Sequence, residues 1–69
     1  MQAKLDIWFQ YHKPTEDQLP KYEELRAAAR AFAEVVVRLT PEGPDQMAAV
    51  RKIREAAMTA NQSIACGRI

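Results

Sequence analysis

The side chains best placed to do chemistry here are arginines set beside the apolar positions of helical segments. Arg26 follows Tyr22 by four residues and precedes Ala29 by three, so on a helix it borders the apolar stripe. Arg30 lies four further on, a like-charge neighbour that costs an isolated helix a few tenths of a kcal/mol. Glu23 and Glu34 are spaced to offset that repulsion, and the plain reading is a solvated face of mixed charge. The alternative is an anion seat, where guanidinium planes meet phosphate oxygens or stack on bases. Arg54 has Val50, Arg51, Ala57 and Met58 as helical neighbours and no acidic partner on its own segment, and Asn61 follows one heptad later. Two readings stay open for it: a polar residue fixing helix register, or a ring of arginines around a symmetry axis that holds a multiply charged ligand. A third group, Trp8, Phe9, Tyr11, His12 and Lys13, lies near the N-terminus. Aromatics there most simply anchor the segment to a helix, whereas a tyrosine beside His12 and Lys13 can stack on a base next to a phosphate.

Catalysis finds little support among these residues. His12 and Cys66 are the only soft metal ligands and stand at opposite ends of the sequence, so neither a metal site nor another cofactor is expected. There is no glycine-rich phosphate loop and no nucleophile with its base. The acidic pairs Glu16/Asp17 and Glu23/Glu24 are adjacent, and on a helix adjacent side chains diverge by roughly 100°. The expected role is binding rather than reaction. A formal net charge of +1 argues against a dedicated DNA or RNA binder while leaving room for a small anion. No apolar run reaches the ~18 residues of a membrane span and no signal peptide opens the sequence, so a cytoplasmic location is expected. A lone cysteine suits a reducing compartment and reads as a small apolar residue.

Three segments must position these groups. Residues 4–12 alternate Leu5, Ile7, Phe9 and Tyr11 with polar or amphipathic neighbours, a strand-like period that predicts an extended arm over residues 1–14. Pro14 disfavours helix at Lys13. Thr15, Glu16, Asp17 and Gln18 have the form of a capping box, with Asp17 as the cap that best accommodates Pro20 in the first turn. Leu19, Tyr22, Leu25, Ala29, Phe32, Ala33, Val36 and Leu39 then recur at three and four, predicting a first long helix over about residues 15–40. Pro41, Gly43 and Pro44 break it. Met47, Val50, Ile53, Ala57, Ala60 and Ile64 predict a second long helix over about residues 44–66, with Gly67 at its C-terminal cap. So short a loop makes the pair antiparallel. The expected fold is all-α: a single domain, a two-helix hairpin with an extended N-terminal arm. With 69 residues and one cysteine the chain has neither the core nor the disulfides to stand alone, which leaves homo-oligomerisation.

The runs Tyr11-His12-Lys13-Pro14, Tyr22-Glu23-x-x-Arg26-x-x-Ala29 and Arg51-Lys52-Ile53-Arg54-Glu55-Ala56-x-Met58-Thr59-Ala60-Asn61-x-x-Ile64-Ala65 resemble the phage anti-CBASS cyclic-nucleotide sponges, whose hairpin also occurs in anti-Thoeris sponges. The resemblance spans Tyr11 to Ala65. It implies a hexamer of helical hairpins in the cytoplasm of an infected bacterium. Such a protein captures cyclic di- and trinucleotide immune signals such as cGAMP, without cleaving them, and so blocks CBASS effectors. By motif, the dinucleotide pocket falls on Tyr11 and Arg26, with His12, Lys13 and Arg30 nearby. Relatives commonly carry lysine where this chain has Arg26. A separate trinucleotide site implies Arg54, with Arg51 in reserve, and a polar contributor in some relatives corresponds here to Ala28. Against this stands a purely structural or protein-interaction hairpin, in which Arg54 and Asn61 would only set register. A phosphodiesterase acting on the same ligands would need the acid–base pair or metal site that the residues do not offer.

Overall fold

The structure is a computed structural model that describes residues 1–67. Three helices and no strand make up the described chain: α1, Gln2–Trp8; α2, Leu19–Leu39; and α3, Pro44–Cys66. The fold is therefore all-helical. The N-terminal segment departs from the expected extended arm, because residues 2–8 form a helix. Gln2, Ala3, Lys4 and Leu5 are all good helix formers. The side-chain amide of Gln2 donates to the Asp6 carboxylate at 2.9 Å, one turn along. A lone strand would leave its backbone groups without a ladder, whereas a helix satisfies its own. The alternation of apolar residues straddles the helix end rather than describing a strand.

Two glutamines tie α2 to α3, one at each end. The Gln18 amide donates to the Ile64 carbonyl at 3.3 Å, joining the start of α2 to the end of α3. The Gln46 amide donates to the carbonyls of Val37 and Thr40 at 3.3 and 3.2 Å. Those carbonyls belong to the C-terminal turn of α2, whose acceptors have no partner within the helix. The two ties fix an antiparallel hairpin and its register.

The start of α2 differs in detail from the capping box. Gln18, not Asp17, is the N-cap residue, and Pro20 lies in the first turn. Thr15 instead closes a preceding turn: its backbone N–H donates to the Gln18 side-chain oxygen at 3.0 Å, and its hydroxyl donates to the Asp17 carboxylate at 2.8 Å. That hydroxyl bond holds the Asp17 carboxyl below its ordinary value of 3.8. At the far end Pro44 occupies the first turn of α3 with Asp45 beside it, where the helix dipole favours an acid. Gly67 ends α3 at φ 70°, a conformation open to glycine and strained for other residues.

No described residue is buried in the single chain. Leu25, Ala29, Ala33 and Val36 of α2 and Val50, Ile53, Ala57 and Ala60 of α3 form a half-buried seam. Phe32, Leu39 and Met47, all in the predicted apolar stripes, remain exposed. Accessible surface totals 5994 Å², against about 4,400 Å² for a compact monomer of this mass. The radius of gyration is 14.9 Å, where about 11 Å is usual for this length. The hairpin is an elongated layer with apolar surface on show, not a closed globule.

Candidate functional site

Along one side of the seam lies a groove of about 280 Å³ whose rims carry the arginines. The α2 rim holds Arg26 and Arg30, at i and i+4; the α3 rim holds Arg54 and Asn61, at i and i+7. Ala29, Ala33 and Ala57 contribute to its apolar lining. The spacing explains the pattern, since residues four apart stack on one helix face, and the alanine methyls let the two backbones approach. Methionine 58 adds a flexible apolar wall (Met58 lines the groove on the α3 side).

The charges of the groove are only partly balanced. Arg30 pairs with Glu34 at 2.9 Å, an exposed i,i+4 contact of the kind that contributes little to stability. Among the described residues, neither Arg26 nor Arg54 has an acidic partner within 4.0 Å. The Asn61 side-chain oxygen is shut away from solvent and meets no hydrogen-bond donor. Leaving such an acceptor unpaired costs about 1–3 kcal/mol. The site therefore offers unneutralised cations and an unsatisfied acceptor above an apolar floor, the requirements of an anion that carries a flat or apolar body.

The structure thus brings Arg26, Arg30 and Arg54 to one groove, although the resemblance implied a separate site for Arg54. The remaining candidates lie elsewhere in the chain. Tyr11 is 82% exposed in the connection between α1 and α2, and neither it nor Lys13 lines the arginine groove. His12 is half-buried, and its Nε2 donates to the Ile7 carbonyl at 2.6 Å, which folds the connection back onto α1. Arg51 is exposed on α3 and is not part of the groove. The anchoring expected of the N-terminal aromatics divides: Trp8 lines a cleft with Thr59, Gln62, Ser63 and Cys66 of α3, while Phe9 is 83% exposed. Cys66 approaches α1 as well, its thiol directed at the Ile7 carbonyl at 3.9 Å. Sequence reasoning treated Asn61 only as a register residue, though its position one heptad after Arg54 was the signal that it shares the groove.

The opposite side of the seam carries a larger and almost wholly apolar groove, about 630 Å³, lined by Phe32, Val36, Ile53 and alanines with Lys52 as its one cation. Among the described residues no cluster of His, Cys, Asp or Glu has the geometry of a metal site. No described helix is long and apolar enough to cross a membrane.

An alanine-seamed helical hairpin with arginines along one groove defines a small module for binding anions. The chain matches the family model "Acb2/Tad1, hairpin domain" over residues 1–65 and belongs to that family, the anti-CBASS and anti-Thoeris sponges. Proteins of this family are non-catalytic sponges for cyclic-nucleotide signals. No curated protein and no solved structure matches the chain.

Proposed function

We propose that this protein is a phage anti-defence sponge that binds cyclic dinucleotides such as cGAMP, and cyclic trinucleotides at a second site, and holds them intact so that CBASS effectors are not activated. It would act in the cytoplasm of the infected bacterium. The observation that carries this reading is the pair of guanidinium groups, Arg26 and Arg54, that lack an acidic partner over an apolar floor in a chain of this family. In the proposal Arg26 meets a ligand phosphate, with Arg30 beside it, and Tyr11 stacks on a base while Lys13 adds a second cation. His12 contributes by holding the segment that carries Tyr11 and Lys13, through its bond to Ile7. Arg54, flanked by Arg51, is the proposed trinucleotide contact.

A single chain is too small for the task. The arginine groove, at about 280 Å³, falls below the ~300–1,000 Å³ of sites that enclose a small molecule, and Tyr11 lies outside it. A cyclic dinucleotide has two phosphates and two base faces in a roughly two-fold arrangement. A symmetric pair of chains supplies one Tyr11 and one Arg26 to each half. The exposed apolar groove on the other side of the hairpin supports such assembly, and the stoichiometry we propose is a hexamer.

Native mass spectrometry of the protein with a mixture of cyclic di- and trinucleotides tests the reading. A hexamer that gains whole, uncleaved cyclic nucleotides is expected, and an oligomer that gains nothing from the mixture overturns it in favour of a structural hairpin. Arg26→Ala is expected to weaken dinucleotide binding about 10- to 150-fold, the value of one charge-assisted hydrogen bond, with the assembly unchanged.

A further inference from the structure

We infer that Trp8 is a positioning residue of the nucleotide site: set against the end of α3, it fixes the segment that carries Tyr11 and so decides where Tyr11 stands relative to the arginines. The inference rests on the cyclic-nucleotide reading above. Tyr11 and Lys13 lie in the connection between α1 and α2. Residues 10–14 make no hydrogen bond to other backbone among the described residues. Side chains must therefore hold this stretch in place. His12 supplies one contact, but its partner at 2.6 Å is the Ile7 carbonyl, a group of α1 itself. That carbonyl belongs to the last turn of α1, whose acceptors a helix leaves open. His12 thus makes α1 and the connection one body without fastening that body to the hairpin.

The fastening falls to Trp8. It lines a cleft with Thr59, Gln62, Ser63 and Cys66 of α3. At 42% exposed it is the one aromatic of the segment that is largely covered, against 83% for Phe9 and 82% for Tyr11. The polar contact beside it is slight, because the Cys66 thiol, a weak donor, reaches the Ile7 carbonyl only at 3.9 Å. An indole ring brings far more contact area than that bond. The other end of the connection is held by the Gln18 amide on the Ile64 carbonyl at 3.3 Å. Both anchors stand on the last turns of α3, and the connection runs between them as a strap. The position of Tyr11 relative to Arg26, in its own chain or across a symmetric pair, follows from how α1 sits on α3. With the Trp8 anchor gone, the strap spends part of its time with Tyr11 out of reach, and affinity falls by the fraction that stays competent.

The test is isothermal titration of cGAMP, cyclic di-AMP and cyclic di-GMP into the wild-type protein and the variants Trp8→Ala, Trp8→Phe, Tyr11→Ala and Trp8→Ala/Tyr11→Ala, with the mass of each assembly measured alongside. Trp8→Ala is expected to weaken the best-bound ligand about tenfold, the factor for a competent fraction of about one-tenth, in an assembly of unchanged mass. Trp8→Phe returns an aromatic ring to the cleft and is expected to recover most of the loss. Because Trp8 acts through Tyr11, adding Trp8→Ala to Tyr11→Ala is expected to cost less than about twofold more, whereas independent effects would multiply. A Trp8→Ala protein that binds like wild type, or a loss repeated in full on top of Tyr11→Ala, overturns the inference and leaves the sponge reading intact. A Trp8→Ala assembly of altered mass overturns it in favour of a purely structural role. A wild-type protein that binds none of the three ligands removes the dinucleotide reading, and this inference with it.

Discussion

Dilution is the perturbation to which this protein should respond most. The single chain has no buried residue and exposes 5994 Å², about 1,600 Å² more than a compact monomer of its mass. In the assembly proposed above, much of the apolar burial that stabilises the fold comes from contacts between chains, and unfolding is coupled to dissociation. Each tenfold dilution changes the chemical potential of a free chain by about 1.4 kcal/mol. Shared over a hexamer, five-sixths of that falls on each chain, about 1.1 kcal/mol per tenfold dilution. A domain of 60–100 residues loses ~4–8 °C in Tm per kcal/mol. The expected fall is about 5–9 °C per tenfold dilution. A dimer, with half of the 1.4 kcal/mol on each chain, would fall by only about 3–6 °C. Circular dichroism melts over a hundredfold range of concentration, without ligand, measure the slope. A Tm that does not move over that range would refute the reasoning, because it would mean that the lone hairpin is stable with its seam half open.

The ties at the two ends of the hairpin give a second expectation. Gln46→Ala removes two bonds to the C-terminal carbonyls of α2, which water can partly replace, so the loss should be about 1 kcal/mol, read from urea unfolding at fixed protein concentration. The Thr15–Asp17 contact supplies the pH dependence. Because the folded carboxyl lies below 3.8, its contribution is present above that pH and is lost as the pH falls through the lowered value. Thr15→Ala should return the Asp17 titration, followed by NMR, towards 3.8; an unmoved curve would show that the hydroxyl is not the cause.

The sequence made the helical class legible because apolar spacing of three and four is hard to satisfy any other way, and because Pro41, Gly43 and Pro44 leave one place for the break. The N-terminal segment was misread for a physical reason. Over a few residues, alternation of Leu5, Ile7, Phe9 and Tyr11 cannot be told from a short helix followed by a turn. What decides it is docking: Trp8 beside Thr59 and Cys66, and His12 folded back onto Ile7. The arginines were visible as cations beside a stripe, but not as members of one groove. That depends on how far each helix is rotated about its axis when the hairpin closes, and a stripe has two flanks. Phe32 and Val36 lie on one side of the seam with the apolar groove, Arg26 and Arg54 on the other. Asn61 illustrates the same limit, since an unsatisfied acceptor becomes visible only when its surroundings are known.

The alanines beneath the arginine groove carry a consequence for how such a protein can change. Ala29, Ala33 and Ala57 keep the two helices close, so methyl groups act as the spacer that sets the aperture between the Arg26 and Arg54 rims. Exchanging one for glycine or serine would alter that gap by a fraction of an ångström while leaving every rim side chain in place. Ligand preference can then drift through the floor of the groove while its charged rim is unchanged. A search for altered selectivity confined to the rim would pass over the residues best able to produce it.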